Sequence, residues 1–390
     1  MPSLLFSVDH VGGGCMADLD EVEERHWWLA LSKVPGVGPF TFIKLVQSMG
    51  SPKAVFQASS EALARIERVG PRLAGAILSF RGHEQVSREL DRMDRMGVRM
   101  LLWGTQQYPP SLAAIPDPPP ILFVRGEILE QDRAAVALVG SRAASQQGLR
   151  VTQRIARELA RAGVTVVSGL ARGIDSEAHK GALAEGGRTI AVLGCGLNVI
   201  YPPENRDLFF RILEHGAVVS EYSLDEGPHA VHFPSRNRII SGLCLGVTIV
   251  EAAPQSGSLI TARLALEQGR EVFAVPGHVD SMRSRGTNRL IKEGARLVES
   301  AADILEELAP LLEACGRPKA VPQETTDVKE EPLSLEETKL LSMMGDQEMH
   351  IDELIQASGM GSSVVTACLL HLELKGRIRQ LPGKRFERCS

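Results

Sequence analysis

Aromatic residues are scarce in this sequence. They make up 4% of its 390 residues, although 44% of the residues are hydrophobic. The core must therefore consist mainly of aliphatic side chains, and few rings are left to stack against a ligand. A basic total charge is absent too, since 43 Lys and Arg stand against 48 Asp and Glu, a net charge of −5. Any surface that attracts nucleic acid must therefore be local.

The six cysteines form no CxxC pair, and no Cys/His cluster has the spacing of a zinc site. Scattered thiols are typical of a reducing compartment. Apolar runs stay short of the roughly 20 residues that a membrane span needs, and the N-terminal residues do not resemble a signal peptide. We therefore expect a cytoplasmic protein with no membrane association and no metal site.

Composition and periodicity divide the chain into five predicted segments. The first is a disordered tail, in which Met1 and Met16 are both candidate initiators. The fourth is a linker, rich in Pro, Glu, Thr and Lys and poor in apolar residues. The predicted bounds are 1–24 for the tail, 25–93 for a helical domain, 94–308 for an α/β domain, 309–334 for the linker and 335–390 for a small C-terminal domain.

Two short glycine signals, Val34–Gly38 and Val69–Pro71, interrupt the helical domain, and an apolar-periodic run follows each. This pattern resembles a helix-hairpin-helix (SAM-like) domain, in which N–H groups at a helix N-terminus point at a DNA phosphate. Residues 25–99 carry 12 Lys and Arg against six Asp and Glu. A small bundle that only packs or dimerises fits the pattern equally well, so both interpretations stay open.

The C-terminal domain shows three helical patterns before a basic, hairpin-like stretch with Pro382-Gly383 at its turn. Residues 375–388 carry six basic residues and one acidic residue. This order resembles a winged helix, a helix-turn-helix variant that often docks on double-stranded DNA. Because the domain is otherwise acidic, a wing that binds a partner protein is the alternative. The predicted helices are Leu335–Met344, Ile351–Ser358 and Ser362–Lys375.

Short apolar strands alternate with amphipathic helices across the α/β domain. Continuous apolar strands suit a parallel sheet covered on both faces, and the alternation predicts a doubly wound, mostly parallel, Rossmann-like sheet. The predicted strands are Val98–Leu102, Ile121–Val124, Val136–Val139, Val164–Val167, Thr189–Leu193, Ala217–Ser220, Val247–Val250 and Glu271–Val275.

Five loops of this domain are rich in glycine, serine and arginine, and 233–238 is interpreted as one of them, before a helix that contains Ile239. Ligands of open parallel sheets bind beyond the carboxyl ends of the strands, so these loops should meet at one rim. Glycine allows close approach, helix N-termini attract anions and arginine grips phosphate with two donors. The predicted phosphate contacts are Gly140, Ser141, Arg142, Ser168, Gly169, Arg172, Gly173, Phe233, Ser235, Arg236, Asn237, Arg238, Ser256, Gly257 and Ser258.

Neither the GxGxxG dinucleotide fingerprint nor the GxxxxGK[ST] phosphate loop is present. An NAD or ATP site is therefore disfavoured, and we expect no cofactor. Three other polar residues invite attention. Asp175 is expected to cap a helix rather than act as a base, His179 to make a local hydrogen bond, and Glu251 to hold loop N–H groups or an arginine. No catalytic residue is predicted.

A long ordered set of motifs within residues 97–308 resembles the DNA-processing protein A family, also called Smf. The set includes Gly140-Ser141-Arg142, Ser168–Asp175, Phe233–Gly242 and Ser256–Ser258. The resemblance implies a non-enzymatic homodimer that binds single-stranded DNA taken up during natural transformation, protects it and helps to load the RecA recombinase. It also implies that Arg142 and Arg172 contact the DNA.

An enzymatic alternative is a nucleotide hydrolase, like the phosphoribohydrolases whose PGGxGTxxE loop carries a catalytic glutamate. The nearest segment here, Pro254–Thr261, lacks the second glycine of the pair and the aligned glutamate, which disfavours this alternative. Single-strand binders usually add aromatic stacking platforms. Tyr201 and Phe233 are the candidates here, and core packing would explain either ring equally well.

Overall fold

The computed structural model of this protein describes residues 16–316, 334–344, 348–374, 377–381 and 383–388. Residues 1–15 of the predicted tail, 317–333 of the predicted linker and Pro382 of the predicted turn lie outside the described residues. The chain forms two compact units, Met1–Val321 and Pro322–Ser390. Each unit has hydrophobic clusters of its own.

Six helices open the first unit. Helix α1 begins at Met16, so the prediction of a disordered tail is wrong for residues 16–24. Prolines stand at the first positions of α2 and α5, where a missing N–H costs no helical hydrogen bond. The six are α1 (Met16–Ser32), α2 (Pro39–Met49), α3 (Pro52–Gln57), α4 (Ser60–Ala64), α5 (Pro71–Leu78) and α6 (His83–Arg95).

The two glycine-containing segments, Val34–Gly38 and Val69–Pro71, form neighbouring hairpins. Gly36 has a φ of +91°, which lets the chain reverse before α2. The guanidinium carbon of Arg68, in the second hairpin, lies 4.6 Å from the ring centre of Phe40, just after the first. Leu45 and Ile77 of these helices share one hydrophobic cluster with sheet residues, so the helical segment and the α/β segment form one unit.

Nine strands form the sheet of this unit, in the order β1-β2-β6-β5-β4-β3-β7-β8-β9. Strands β1 and β2 are antiparallel to their neighbours, and the other seven are parallel. This confirms the doubly wound, mostly parallel sheet. The strands are β1 (Val98–Leu102), β2 (Ile121–Gly126), β3 (Ala135–Val139), β4 (Thr165–Ser168), β5 (Thr189–Val192), β6 (Gly216–Ser220), β7 (Gly246–Ile249), β8 (Glu271–Ala274) and β9 (Arg296–Leu297).

Eight more helices complete the unit, and most of them cover the two faces of the sheet. Buried residues such as Ile155 of α8 and Ile239 of α11 belong to separate clusters with sheet residues. The helices are α7 (Pro110–Ala113), α8 (Gln146–Arg161), α9 (Ile174–Ala184), α10 (Arg206–His215), α11 (His232–Gly242), α12 (Ser258–Glu267), α13 (Arg285–Lys292) and α14 (Ala301–Ala314).

Two of these helices correct the sequence predictions. Helix α11 begins at His232, so residues 233–238 are helical and not a loop. Pro234 suggests a break, but a proline in the first helical turn is tolerated. Helix α14 continues to Ala314, beyond the predicted start of the linker, because Leu308 and Leu312 extend its buried stripe.

The second unit has the predicted winged-helix arrangement. Its helices are α15 (Leu335–Met343), α16 (Ile351–Ser358) and α17 (Ser362–Leu374), and its strands are β10 (Met349–His350), β11 (Ile378–Leu381) and β12 (Arg385–Arg388). The strands form an antiparallel sheet in the order β10-β12-β11. Its core contains Leu340, Leu354, Leu369 and Phe386. Within the described ranges of both units, no single helix is long and apolar enough to cross a membrane.

Candidate phosphate-binding pocket

A small cavity lies beyond the carboxyl ends of β3, β4 and β5. We call it the Gly169 pocket; its lining residues are Arg142, Gly169, Ala171, Arg172, Gly194, Cys195, Tyr201, Pro202 and Phe233. Its volume is about 30 Å³, far below the roughly 300–1,000 Å³ of pockets that enclose a small molecule. The cavity therefore suits a group presented at the surface, such as a phosphate, better than an enclosed nucleotide.

The loop after β3 brings Arg142 to the rim of the pocket. Gly140 is packed so closely that a Cβ there would lie 2.7 Å from a carbon of Ile174. The Ser141 hydroxyl accepts a hydrogen bond from the N–H of Ala143 at 3.1 Å, which tightens the turn. The exposed Arg142 guanidinium then lies 5.2 Å from the ring centre of Phe233.

The loop after β4 is locked against the loop after β3. The N–H of Ile174 donates to the carbonyl of Ser141 at 3.3 Å. Gly173 has a φ of +75°, and a Cβ at this position would collide with the same carbonyl. Only glycine lets the two loops approach this closely, so Arg142 and Arg172 are held on adjoining loops.

Leu170, the centre of the second loop, is fully buried and has a φ of +56°, a conformation that costs free energy outside glycine. Two side chains hold it there. The carboxylate of Asp175 accepts hydrogen bonds from the N–H groups of Gly169 (3.2 Å) and Ala171 (3.4 Å). The amide of Asn205 donates to the carbonyl of Leu170 at 2.8 Å. The prediction that Asp175 caps the helix is therefore wrong, because it holds the loop before the helix.

Arg172 is exposed at the rim and is paired with Glu204. The pair comes from the loop after β4 and the short turn before α10. A hydrogen bond from Arg172 lowers the pKa of the Glu204 carboxyl, so the carboxylate stays charged beside the arginine at neutral pH. Sequence reasoning missed Glu204, since nothing in the chain marks an acid that lies 32 residues from its partner.

Two rings border the pocket. The ring centres of Tyr201 and Phe233 are 5.8 Å apart, and Tyr201 is 38% exposed, whereas Phe233 is half-buried. Gly194, in the loop after β5, makes room for Phe233, because a Cβ there would lie 2.9 Å from the ring. Part of the Tyr201 side chain is therefore accessible, and it lines the same cavity as Arg142 and Arg172.

Helix α11 overturns the prediction for Arg236 and Arg238, because both side chains are buried. Arg236 donates to the carbonyls of Gly169 (2.8 Å) and Val192 inside the protein. Arg238 is bound by the carboxylates of Glu221 and Asp117. In this arrangement neither guanidinium is open to a phosphate of DNA.

The remaining predicted contacts do not line the pocket. Ser168 is buried, and its hydroxyl donates to the carbonyl of Leu138 at 2.7 Å. Ser235 lines a separate and larger cavity together with Arg238. Asn237 contacts Gly257 at the start of α12. The structure thus brings together Arg142, Gly169, Arg172 and Phe233, with Gly140, Ser141 and Gly173 as supports, and leaves Ser235, Asn237, Ser256, Gly257 and Ser258 elsewhere.

Glu251 and His179 have structural contacts. Glu251 accepts from the N–H of Ser145 at 2.9 Å and from its hydroxyl, which confirms that it holds a loop. His179 is fully buried, with its Nδ1 2.6 Å from the hydroxyl of Thr189, as predicted. Burial lowers the pKa of His179 to about 3. Neither residue lines the Gly169 pocket, so the geometry gives them no role there.

The comparisons with known proteins decide the family. The family model described as DNA recombination-mediator protein A matches residues 99–309, which is more than half of the chain. The chain belongs to this family, whose members are named DprA or Smf. The DprA winged helix domain matches residues 324–384, and a SAM-like helix-hairpin-helix tandem matches residues 29–80. Both assignments agree with the predicted flanking domains.

Curated relatives cover between about half and nearly all of this chain. Protein Smf of Synechocystis is 35% identical over 94% of this chain and 99% of its own length. Protein Smf of Escherichia coli is 44% identical over 80% of this chain and 83% of its own length. DNA processing protein DprA of Streptococcus pneumoniae is 48% identical over 51% of this chain and 71% of its own length. The name of the Streptococcus pneumoniae relative refers to DNA processing and names no reaction.

Solved structures of two DprA proteins resemble this one. The Streptococcus pneumoniae protein has a TM-score of 0.63 at 35% identity, over 72% of this chain and 97% of its own. The Helicobacter pylori protein has a TM-score of 0.50 at 32% identity, over 55% of this chain and 96% of its own, and was studied for its single-stranded DNA binding mode. The fold of the α/β segment is therefore that of the family.

Proposed function

We propose that this protein binds single-stranded DNA by its phosphate backbone at the Gly169 pocket. The observation that carries the proposal is the placement of Arg142 and Arg172 on two interlocked glycine loops, where both line the same small cavity. Arginine is the side chain best suited to grip a phosphate with two donors. Single-stranded DNA is also the ligand studied with the Helicobacter pylori relative.

The pocket geometry predicts binding without sequence preference. Contacts to phosphate position a strand but carry no base information. The exposed ring of Tyr201 offers one stacking surface, and every base has a face that can use it. Affinity should therefore vary little with base sequence and fall steeply with salt, because each neutralised phosphate releases counterions.

We propose further that the protein acts without catalysis. It would protect incoming single-stranded DNA and help to load the RecA recombinase during natural transformation and recombination. Among the residues that the structure describes, no group of three or more His, Cys, Asp or Glu could hold a metal ion. The Gly169 pocket itself is also too small to enclose a nucleotide substrate. A family described as a DNA recombination mediator agrees with this role.

We propose a homodimer as the binding form. One pocket of this size offers few contacts, and linked pockets bind a long strand more tightly because the second contact is intramolecular. The measurement is sedimentation velocity with dT oligonucleotides of two lengths. A dimer should bind the longer one much more tightly, whereas a monomer with equal affinity for both would contradict the proposal.

For the winged-helix unit two alternatives stay open, contact with double-stranded DNA and binding of a partner protein. Part of its basic charge is already balanced within the unit, since Arg379 lies 3.6 Å from Glu387 and Arg385 lies 3.2 Å from Glu348. This balance favours the alternative, a wing that binds a partner protein. A chain that ends before residue 317 distinguishes these two roles. If this chain loses binding to duplex DNA but keeps binding to single-stranded DNA, contact of the winged-helix unit with double-stranded DNA is supported.

The test of the main proposal is a titration with fluorescent dT oligonucleotide and with a duplex of the same length, at two salt concentrations. We expect tighter binding of the single strand and a strong loss of affinity at the higher salt. Binding that is insensitive to salt would contradict the proposal, as would equal affinity for both DNAs in a chain that ends before residue 317. A parallel assay for base or phosphate release from nucleotides tests the enzymatic alternative, and robust turnover would support it.

A further inference from the structure

Arg236 lies directly beneath the Gly169 pocket. Its side chain, on helix α11, is 3% exposed. One terminal nitrogen donates to the carbonyl of Gly169 at 2.8 Å and to the carbonyl of Val192. These two carbonyls stand at the carboxyl ends of β4 and β5, so the guanidinium ties together the two strand ends that carry the floor of the pocket.

Gly169 and Arg236 fit each other closely. A Cβ at position 169 would lie 2.5 Å from Nη1 and 2.6 Å from Nη2 of the guanidinium. The backbone of Gly169 therefore contacts the buried arginine and also lines the pocket. With the Gly169 carbonyl turned inward to Arg236 and its N–H held by Asp175, the conformation of the loop is fixed on both sides.

The charge of Arg236 is not fully balanced inside the protein. Its Nε is buried and has no hydrogen-bond partner within the described part of the chain. Arginine stays protonated in proteins, so a positive charge lies below the pocket. Asp175 interacts favourably with this charge, whereas Arg142, on the rim, opposes it. An anion in the Gly169 pocket would lie near both cations and reduce their repulsion.

We propose that Arg236 is a positioning residue of the Gly169 pocket, which holds the Gly169 loop in its binding conformation and adds a fixed positive charge without touching the DNA. This inference rests on the proposed function, because the anion in question is a DNA phosphate. It differs from the direct contact that the sequence suggests, since the arginine acts through the backbone of Gly169.

The test compares three variants in binding to a fluorescent dT oligonucleotide. Arg236→Met removes the charge and both hydrogen bonds, and Arg236→Lys keeps the charge. Arg270→Met is the matched control. Arg270 also donates to two backbone carbonyls, those of Ser111 and Gly242, and its Nε is also buried without a partner in the described residues, but it does not line the pocket.

We expect Arg236→Met to weaken binding about tenfold at every salt concentration, because a charge shielded from water acts more strongly than an exposed one. Arg236→Lys should recover part of the loss, and Arg270→Met should bind like the wild type. The dependence of affinity on salt should stay unchanged in Arg236→Met, whereas Arg142→Ala should lower its slope by about 0.7, the value of one phosphate contact.

Two results would overturn the inference. Wild-type affinity in a folded Arg236→Met variant would exclude any role in binding, and a lowered salt slope in that variant would mean direct contact with phosphate. Hydrogen exchange of residues 168–175 without DNA provides a separate measurement. Faster exchange in Arg236→Met but not in Arg270→Met supports the positioning role, and unchanged exchange contradicts it. If the wild type fails to bind DNA, the proposed function fails, while this exchange result still decides the positioning role.

Discussion

Arg172 and Glu204 form an ion pair across the rim of the Gly169 pocket, and both side chains are exposed. The arginine that we propose as a phosphate contact is therefore already held by a carboxylate of the same chain. A phosphate that binds Arg172 must displace or share this partner. Glu204 thus competes with DNA, and the affinity of the pocket reflects the difference between the two interactions.

Replacing Glu204 with Gln should strengthen binding to single-stranded DNA. The gain should be about two- to fivefold, because an exposed ion pair is weak and the phosphate would no longer have to displace a carboxylate from Arg172. Glu185→Gln is the matched control, since Glu185 pairs with Arg161 in a similar way but lies outside the pocket. Fluorescence anisotropy with a dT oligonucleotide measures both. Weaker binding by Glu204→Gln would show that the acid supports Arg172 and does not compete.

Replacing Gly173 with Ala should separate the two loops that carry Arg142 and Arg172. A Cβ at position 173 collides with the carbonyl of Ser141, in addition to the cost of a positive φ, which is about 1–3 kcal/mol. Gly186→Ala is the control, because its φ is +65° but a Cβ there meets no atom within 4 Å. Urea unfolding and DNA titration should show larger losses for Gly173→Ala. If both variants lose stability and DNA affinity to the same extent, the claim that the two loops are interlocked at Gly173 is contradicted.

The buried His179 should make the protein less stable in acid. Its pKa is lowered to about 3 in the folded state, so the unfolded chain binds a proton below pH 6.5 that the folded chain does not bind. The stability that this shifted pKa contributes is therefore fully present above pH 6.5 and is lost as the pH falls towards 3. Between pH 6.5 and pH 5 the loss from this group should be about 2 kcal/mol. Urea unfolding of wild type and His179→Gln at both values tests this, and identical pH dependence would exclude the effect.

Replacing Tyr201 with Ala should weaken binding to oligo-dT while leaving the salt dependence unchanged. Stacking of one base on a ring contributes about 1–3 kcal/mol, whereas no charge is removed. Phe210→Ala is the control, because Phe210 is 39% exposed on α10 but does not line the pocket. If both variants bind like the wild type, Tyr201 packs against Phe233 and does not stack on a base.

The sequence predicted the sheet well because its signals are local. Runs such as Val136–Val139 and Val247–Val250 are continuous and apolar, and the ends of β1 to β8 lie within two residues of the predicted ends. The two-residue edge strand β9 was not predicted. The loops around Gly140 and Gly169 were also found, since glycine, serine and arginine at strand ends mark the rim of a parallel sheet.

Burial of a charged side chain could not be predicted in the same way. Arg142 and Arg236 stand in similar sequence surroundings, each next to a serine, yet the first is exposed and the second is 3% exposed. The partners of Arg236 are carbonyls 44 and 67 residues away in the chain. The start of helix α1 and the end of α14 were missed for a different reason, because acidic helices resemble tails and linkers in composition alone.

The measurement that tests the central claim most directly is oligo-dT binding by the double variant Arg142→Ala/Arg172→Ala. Its matched control is Arg157→Ala/Arg161→Ala, which removes two arginines near the C-terminal end of α8, where both lie close to Glu185 and away from the pocket. Both proteins should keep the circular dichroism of the wild type. We predict that the pocket variant loses binding and the control retains it. Wild-type affinity in a folded pocket variant would contradict the assignment of the Gly169 pocket as the DNA site.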